Sequence, residues 1–582
     1  MADPPSREPV VDVLEASVEG ALAALTALGP EAGAFVDLDP ALFGRALAVA
    51  AVGVARHPAP AAWAGLRCAV DLTRTSLAAA SRVVRRSAAG PVAPDAGDRR
   101  FSDLAWEGNA GFFALRQSYL VFRQLAEDLL AAAELDEATR AKAGFAVDLL
   151  ADALAPTNLL LTNPAALKRA FDTGGQSVVA GGRNFVDDLR HNGGRPRQVD
   201  TSSFRLGENM AATPSRVVFR NDLMELLQYL PQTDEVHAIP LLASPPWINK
   251  YYVMDLAPGR SLIEWAVQHG RTVFAISYRN PDASMSEITM DDYSTRGVRA
   301  ALDAVTEITG SDIVDVLGVC LGGALAVMTA AQLAASGEDR IGTLTLINTL
   351  LDYTEPGQLG CFLDEGTIVK LERRMARKGY LDGADMGGTF NALRANDLIF
   401  SYVVSNWLMG EQPPAFDLLA WNADSTRLPA AMHSWYLRSC YMENQLAQGS
   451  MVLGGQRLDL GAVKPDTYVV AAQRDHIVPW ALVLPDHQAP GRRRALRPRE
   501  RWPHCRHRQP TARKGLGNDL RREPSNRGGV ARGGGPPGRI LVGGLVALDG
   551  GPRGTPQPRP GRWQPPPSGP GRRPRRVCAR LS

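Results

Sequence analysis

The hydrophobic positions of this chain follow two different periods, and the change between them comes near residue 200. Before that point, apolar residues recur every three or four positions, which is the spacing of amphipathic helices. The pattern predicts an Ala-rich helical or loosely ordered arm over residues 1–100 and a helical N-terminal domain over residues 101–200. The first part of the chain is therefore expected to be helical or, in the arm, loosely ordered.

After residue 200 the hydrophobic residues form short runs, and each run is followed by a stretch of helical periodicity. The runs lie at residues 239–242, 272–276, 313–319, 344–347 and 468–471. Strand-like runs that alternate with helices are typical of a mostly parallel sheet covered by helices on both faces. The pattern predicts an α/β catalytic domain over residues 201–480.

One of these runs leads into a glycine-rich motif with a cysteine at its centre. Gly318, Cys320 and Gly322 form the pattern G-x-C-x-G, the nucleophile elbow of α/β hydrolases with cysteine in place of serine. Glycines give the strand-to-helix turn its room, and the helix N-terminus is expected to favour the thiolate. The motif predicts an α/β-hydrolase fold with Cys320 as the nucleophile. The alternative is a buried structural cysteine.

Further parts of the site follow from the elbow. The Leu321 N–H is the natural first oxyanion donor, and the loop around Ile248 is expected to supply the second. In this fold the acid follows a late strand, and Asp475 stands in the loop after the run at 468–471. The alternative for this aspartate is a turn or cap residue. Its neighbour His476 is expected to support the loop rather than act as the base, because adjacent side chains diverge.

A long insertion separates the last two strand-like runs. Residues 350–441 are rich in aromatic residues and largely helical in pattern. In an α/β hydrolase an insertion at this point forms a lid over the active site, so these residues are expected to shape the substrate pocket.

Composition narrows the class of protein further. Of the 582 residues, 45% are hydrophobic and 21% are charged, as in soluble globular proteins. The six cysteines form no CxxC pair and have no histidine at zinc-ligand spacing, so a reducing cytoplasm is expected and a disulfide framework or metal site is not. Cys68, Cys361 and Cys440 lack the surroundings of a nucleophile and are interpreted as packing residues. The N-terminus is acidic and the apolar stretch 41–54 is broken by Arg45, so neither a signal peptide nor a membrane span is expected.

Taken together, these residues resemble the poly(3-hydroxyalkanoate) synthase family, whose members polymerise 3-hydroxyacyl-CoA into a bacterial storage polyester. The resemblance runs from Phe101 to Trp480 and rests on ordered motifs. These are APTN at 155–158, NPA at 163–165, FRND at 219–222, PPWINKYY at 245–252, YRNP at 278–281, GVCLGG at 318–323, QPPAFD at 412–417 and DHIVPW at 475–480. By resemblance, the N-terminal domain is implicated in dimerisation and granule attachment.

The resemblance implies an acyltransferase. Cys320 would take the acyl group of (R)-3-hydroxyacyl-CoA as a thioester and pass it to the growing polyester, with no cofactor beyond the CoA thioester itself. Asp475 would orient the base or help to activate the 3-hydroxyl. The expected partners are this substrate, the polyester chain, the granule surface in the cytoplasm and a second copy of the chain, but not nucleic acid. Two alternatives stay open: a cysteine-dependent hydrolase (thioesterase or polyester depolymerase), and an inactive granule-associated protein.

The last part of the chain differs from everything before it. Residues 481–582 contain 22 Arg and 17 Pro and carry a net charge of +18, whereas residues 1–480 carry −15. Such a composition is usually a disordered basic arm for nucleic acid. A member of the resembled family should instead continue after Trp480 with a helix, a strand and a Gly-His-Ile loop that carries the catalytic base.

The genetic code offers another interpretation of this tail. Read one nucleotide later, the codons for residues 502–510 permit Gly-His-Ile-Ala-Gly-Ile-Val-Asn-Pro, and those for 481–491 and 541–546 also permit family-like sequence. We therefore expect a one-nucleotide insertion near Trp480, a disordered out-of-frame tail, and loss of the last strand and helix together with the catalytic histidine. On this interpretation the histidines of the tail are accidental residues: His487, His504 and His507.

Overall fold

The computed structural model describes residues 40–84, 88–95, 97–472, 475, 477–478 and 557–558. The part before residue 200 is helical, as its periodicity predicts. Its helices are α1 (Pro40–Arg56), α2 (Pro58–Val83), α3 (Ala105–Gly108), α4 (Ala110–Ala132), α5 (Glu137–Ala153), α6 (Pro164–Asp172) and α7 (Gln176–His191). Asn109, Asp136 and Asn163 cap three of these helices, because each side chain accepts a backbone N–H of the first turn. Residues 1–39 of the expected arm lie outside the described residues.

The second part of the chain is built on a seven-stranded sheet. The strands along the chain are β1 (Ser215–Arg220), β2 (Met224–Tyr229), β3 (Glu235–Val236), β4 (Leu241–Ser244), β5 (Val273–Tyr278), β6 (Val314–Val319), β7 (Ile341–Ile347), β8 (Tyr380–Leu381), β9 (Leu428–Pro429), β10 (Val452–Leu453), β11 (Gln456–Arg457), β12 (Asp466–Val470) and β13 (Gln557–Pro558). The sheet has the order β1-β2-β5-β4-β6-β7-β12, and the two-residue strands pair outside it. Strands β5, β4, β6, β7 and β12 are parallel, and β1 and β2 are antiparallel at one edge.

The five parallel strands are those that the hydrophobic runs predict. β5 is buried throughout and β6 nearly so, because both faces of a parallel sheet are covered, and such strands are continuous apolar runs in the sequence. The hairpin of β1 and β2 was not predicted, because β1 is only partly buried and mixes Arg with Val. Its turn is held by Asn221 Oδ1, which accepts hydrogen bonds from Leu223 N (2.9 Å) and Met224 N (2.8 Å).

Helices cover the sheet and make up most of the segment between β7 and β12. They are α8 (Leu262–Gln268), α9 (Met290–Asp292), α10 (Ala300–Thr309), α11 (Leu321–Ala335), α12 (Glu365–Lys378), α13 (Gly383–Leu393), α14 (Asp417–Ala423), α15 (Ala430–Tyr436) and α16 (Gln445–Gln448), with π-helical turns at Tyr293–Arg299, Asn396–Phe400, Val403–Leu408 and Leu437–Met442. The N-terminal helices contact the lid, since Trp407 Nε1 donates to Asp188 Oδ2 of α7 (2.8 Å). None of the helices described is long and apolar enough to cross a bilayer.

β12 forms one edge of the sheet as described. Its residues are exposed or half-buried, whereas those of β5, deep in the sheet, are all buried. A half-covered parallel strand at an edge is what a sheet without its next strand would leave. The predicted disorder of the tail and the loss of a strand beyond Trp480 lie outside the described residues.

Candidate active site

Cys320 occupies a sharp turn between a strand and a helix. β6 ends at Val319 and α11 begins at Leu321, and Cys320 between them adopts φ 52° and ψ −122°. A positive φ is strained for a residue with a Cβ and costs about 1–3 kcal/mol, so the surroundings must hold it. The Cys320 N–H donates to the Ile347 carbonyl (2.8 Å), and the Cys320 carbonyl accepts from the Gly323 N–H (3.0 Å). This is the geometry of a nucleophile elbow at the carboxyl end of the parallel strands.

Glycines give the elbow the room that it needs. A Cβ added to Gly318 would lie 2.3 Å from the Cα of Gly323 in the first turn of α11. A Cβ added to Gly322 would lie 2.3 Å from the carbonyl oxygens of both Ser244 and Pro245. The glycines of the G-x-C-x-G motif are therefore required because backbone approaches backbone at this point.

Gly322→Ala is expected to lower the free energy of unfolding by about 2 kcal/mol, because the new methyl group meets backbone atoms that cannot rotate away. Gly387→Ala in α13 is the matched control: a Cβ there has no neighbour within 4 Å. Alanine is the better helix former, so this variant should be more stable by up to about 1 kcal/mol. Denaturant unfolding followed by circular dichroism measures both changes, and a Gly322→Ala protein as stable as the original would contradict the close packing.

Asp475 lies in the loop that follows β12. Its Oδ1 accepts hydrogen bonds from the N–H groups of Ile477 (2.9 Å) and Val478 (3.0 Å), so the carboxylate caps its own loop. Its negative charge is also close enough to Cys320 to raise the pKa of the thiol. The structure thus brings together the two residues that the sequence names as catalytic. His476 lies outside the described residues.

The Cys320 thiol is held in its neutral form. Burial raises its pKa to about 11, and the charge of Asp475 adds to this increase. The Leu321 N–H donates a hydrogen bond to Cys320 Sγ, which lowers the pKa by less. The expectation that an N–H group at the helix N-terminus favours the thiolate agrees with the direction of this hydrogen bond, but burial has the larger effect on the pKa of the thiol.

The loop after β4 lies against the N-terminus of α11. Ser244 Oγ donates to the Gly322 carbonyl (3.0 Å), which ties the end of β4 to the elbow. Ile248, a few residues further on, is half-buried and packs against the hydrophobic cluster that also contacts Cys320. The Leu321 N–H already lies beside the sulfur, where an oxyanion donor is needed. The Ile248 N–H as the second donor stays a prediction.

Aromatic side chains of the lid lie around the thiol, and the sequence did not single them out. Tyr353 and Tyr441 are close enough to Cys320 for a thiolate there to raise their pKa values. The rings of Tyr353 and Tyr441 are 4.7 Å apart, and Tyr436 packs edge-on against Tyr441 (5.4 Å) and Trp247 (5.5 Å). The aromatic content of the lid was the available signal, but which rings reach the thiol depends on how the lid folds back.

Comparison with known proteins agrees with this fold and identifies the family to which the chain belongs. Residues 97–266 match the model for the N-terminus of poly-beta-hydroxybutyrate polymerase (PhaC), and residues 236–494 match that of the alpha/beta hydrolase fold. Poly(3-hydroxyalkanoate) polymerase 1 of Ectopseudomonas oleovorans is 41% identical over 390 residues, which are 67% of this chain and 69% of that protein. The chain belongs to the poly(3-hydroxyalkanoate) polymerase family.

Other polymerases of the family are more similar in sequence. The poly(3-hydroxyalkanoate) polymerase of Methylorubrum extorquens is 47% identical over 67% of this chain and 65% of its own length. The polymerase subunit PhaC of Rhizobium meliloti (strain 1021) is 45% identical over 69% of this chain and 66% of its own length. The chain thus spans just under two thirds of these two relatives. Among solved structures, a hydrolase from Pseudomonas aeruginosa PA01 covers 46% of this chain and 84% of its own at 16% identity, with a TM-score of 0.27 that adds nothing to the fold assignment.

The three cysteines that the sequence assigns to packing lie outside the elbow. Cys68, Cys361 and Cys440 are free and buried. Burial raises the pKa of Cys440 far above its ordinary value, although Tyr353 donates a hydrogen bond to it. Their burial agrees with the packing interpretation, because a free buried cysteine behaves as a small hydrophobic residue.

The described histidines do not supply the base that the family motif calls for. His57 and His191 lie in the N-terminal helical part and face carboxylates there. His237 and His269 precede β4 and β5, which places them at the amino end of the sheet, opposite Cys320. His433 in α15 is buried, and burial lowers its pKa to about 4. A general base works best when its pKa is near the working pH and its ring is within reach of the nucleophile. No histidine in the described part of the chain meets both requirements.

Proposed function

We propose that this protein is an acyltransferase that polymerises (R)-3-hydroxyacyl-CoA into poly(3-hydroxyalkanoate), with Cys320 as the acyl carrier. The observation that carries the proposal is the strained elbow, in which a cysteine at positive φ has the Leu321 N–H on its sulfur. A nucleophile in such a turn meets the acyl group beside an oxyanion donor. Polymerisation of 3-hydroxyalkanoates is what the names of the relatives describe.

The first step transfers the acyl group to the enzyme. The Cys320 thiolate attacks the thioester carbonyl, the C–S bond to Cys320 forms, and the C–S bond to CoA breaks. The thiol proton passes through a base to the departing CoA thiolate. Exchange of one thioester for another is nearly isoenergetic, so the acyl-enzyme keeps its capacity for transfer. In the second step the 3-hydroxyl of one unit attacks the thioester of another, an ester forms, and the hydroxyl proton returns through the base to the released thiolate.

The remaining residues of the site have supporting roles in this scheme. The N–H groups of Leu321 and Ile248 form the oxyanion hole for both tetrahedral intermediates. The Asp475 carboxylate orients the base or helps to activate the 3-hydroxyl, and its position beside Cys320 supports either role. The lid rings of Tyr353 and Tyr441 border the space where the acyl group would lie.

We infer that a one-nucleotide insertion lies near Trp480 and that the chain as translated has lost the catalytic base through it. Two observations support this inference: the composition changes there, and β12 is left at the edge of the described sheet. The histidine of the family would lie in the shifted frame. We call the protein translated after removal of the extra nucleotide the frame-restored chain. The polymerase activity is then expected of this frame-restored chain, and the chain as translated is strongly impaired.

We also propose a homodimer that attaches to polyester granules in the cytoplasm through its N-terminal helical part. Large apolar side chains are exposed on this part of the chain: Trp63, Leu66, Leu77, Leu161 and Phe171. These side chains are candidates for the contact, because an apolar polyester would cover them.

The proposed reaction is tested by following both of its products. Frame-restored protein is incubated with 3-hydroxybutyryl-CoA, mass spectrometry of peptides locates the hydroxybutyryl group, and methanolysis with gas chromatography measures polymer. An adduct on Cys320 together with polymer is expected. Free 3-hydroxybutyrate without polymer would support the cysteine-dependent hydrolase instead.

Asp475→Asn is expected to slow CoA release by the frame-restored protein about 100-fold, because it removes the charge that orients and stabilises the protonated base. The amide oxygen still accepts the N–H groups of Ile477 and Val478, so the loop should stay folded. Asp466→Asn, at the exposed start of β12, is the matched control and should leave the rate unchanged. An unchanged rate in Asp475→Asn, or the same loss in both variants, would argue against the assigned role.

A further inference from the structure

The lid holds the loop that carries the proposed second oxyanion donor. Ile248 lies in that loop, and its neighbour Asn249 forms an antiparallel bridge with Ser425 of the lid. The Lys250 carbonyl accepts a hydrogen bond from Trp421 Nε1 at 2.8 Å. Backbone groups of the two residues after Ile248 are therefore fixed by the lid segment that begins with α14.

One carboxylate of the lid binds two side chains of this loop at the same time. Asp424 Oδ2 accepts a hydrogen bond from Tyr252 Oη at 2.7 Å, and Asp424 Oδ1 lies 3.9 Å from Lys250 Nζ. Lys250 and Tyr252 are only 8% and 3% exposed. The Asp424 side chain is 38% exposed, so water screens its pairing with Lys250 in part, and the hydrogen bond from the buried Tyr252 hydroxyl to the carboxylate is the stronger contact.

The other end of the loop is fixed to the elbow. The Ser244 hydroxyl donates to the Gly322 carbonyl, and Gly322 leaves no space for a Cβ beside the Pro245 carbonyl. Ile248 thus lies between two attachments, one to the helix that follows Cys320 and one to the lid. The position of its N–H depends on both.

We propose that Asp424 is a positioning residue for acyl transfer: through Tyr252 and Lys250 it holds the Ile248 N–H where the oxyanion develops. The inference rests on the proposed function, because it requires acylation of Cys320. Removal of one oxyanion donor slows acyl transfer about 100- to 1,000-fold, so a donor that is displaced but not lost should account for part of that factor.

Two reactions of the same thiol separate this role from a structural one. Acylation of Cys320 by 3-hydroxybutyryl-CoA passes through an oxyanion. Alkylation by iodoacetamide displaces iodide as the C–S bond forms, and no oxyanion develops. Both rates are measured by mass spectrometry on the full chain at mildly alkaline pH, where more of the thiol ionises without a histidine. Alkylation then reports access and ionisation of the thiol, and the ratio of the two rates reports the oxyanion hole.

Asp424→Ala and Tyr252→Phe are expected to slow acylation about 10- to 100-fold while alkylation changes less than about threefold. Asp424→Asn keeps an acceptor for the tyrosine hydroxyl and should recover part of the rate. Asp397→Ala removes a lid carboxylate that pairs with Arg394 and is the matched control, which should change neither rate. Tyr252→Phe keeps the ring in place, so the test stands even if Asp424→Ala does not fold.

Each other outcome has a distinct meaning. Acylation at the original rate in Tyr252→Phe and Asp424→Ala would overturn the positioning role, as would an equal loss of acylation and alkylation. If Cys320 is alkylated in both the chain as translated and the frame-restored protein but is acylated in neither, the proposed function itself fails. That failure is seen without any substitution, so it cannot be confused with failure of the lid contact.

Discussion

Cys320→Ala in the frame-restored protein is expected to abolish both polymer formation and covalent acyl labelling. Without the sulfur there is no atom to attack the thioester and none to carry the growing chain. Loss of a nucleophile in a comparable catalytic unit costs on the order of a million-fold in rate, so CoA release should fall to the background. Alanine keeps the Cβ at the same strained position, so the elbow should remain folded.

The matched control for this variant is Cys361→Ala. Cys361 is also a free and buried cysteine, but it lies in the lid near Lys142 rather than at the elbow. Its replacement should leave labelling and polymerisation intact and cost stability by only about 1 kcal/mol. Polymer formation by Cys320→Ala above the background would contradict the assignment of Cys320 as the nucleophile.

The sequence predicts those features of the fold that are specified by a few consecutive residues. β5 is buried on both faces, so its residues form a continuous apolar run that no alternating pattern interrupts. The elbow is only partly local, because Gly318 is required by its contact with Gly323 in the same motif, whereas Gly322 is required by the carbonyl groups of Ser244 and Pro245, far away along the chain. A strand, a constrained turn and a helix that follow one another are enough to place Cys320 at the carboxyl end of the sheet.

The features that escape the sequence join residues that are far apart along the chain. Tyr252 and Asp424 are 172 positions apart, and neither stands in a pattern that marks a contact. The approach of Tyr353 and Tyr441 to the thiol likewise depends on the packing of the lid over the elbow. Such contacts depend on how whole segments pack together. Composition therefore indicates that the lid is rich in aromatic residues, but not which of them approach the thiol.

The pKa of Cys320 depends both on a local signal in the sequence and on contacts with distant parts of the chain. The local signal, a helix N-terminus with a free N–H, is present in the structure as the hydrogen bond from Leu321. Burial among residues from distant parts of the chain is the larger effect, and it raises the pKa of the thiol to about 11. A thiol in this state needs a base before it can attack, so the loss of the histidine that the proposed frameshift implies would decide the activity of the chain.

Deletion of one nucleotide at the junction of codons 480 and 481 is therefore expected to raise CoA release from 3-hydroxybutyryl-CoA about 100- to 10,000-fold, the usual contribution of general acid–base catalysis. The restored histidine would take the proton of Cys320 and return it to the CoA thiolate. The restored strand would pair with β12, the edge strand of the sheet as described, which should also make the protein more soluble. CoA release by the two purified proteins at equal concentration measures the difference.

The two effects of the repair can be separated, because one depends on the histidine and the other on the strand. A frame-restored protein in which the new histidine is replaced by alanine should regain solubility but not the rate. That pattern would assign the loss of activity to the base rather than to misfolding. If the chain as translated turns over as fast as the repaired one, the frameshift interpretation is wrong, and a histidine of the tail must act as the base for a thiol whose burial otherwise keeps it protonated.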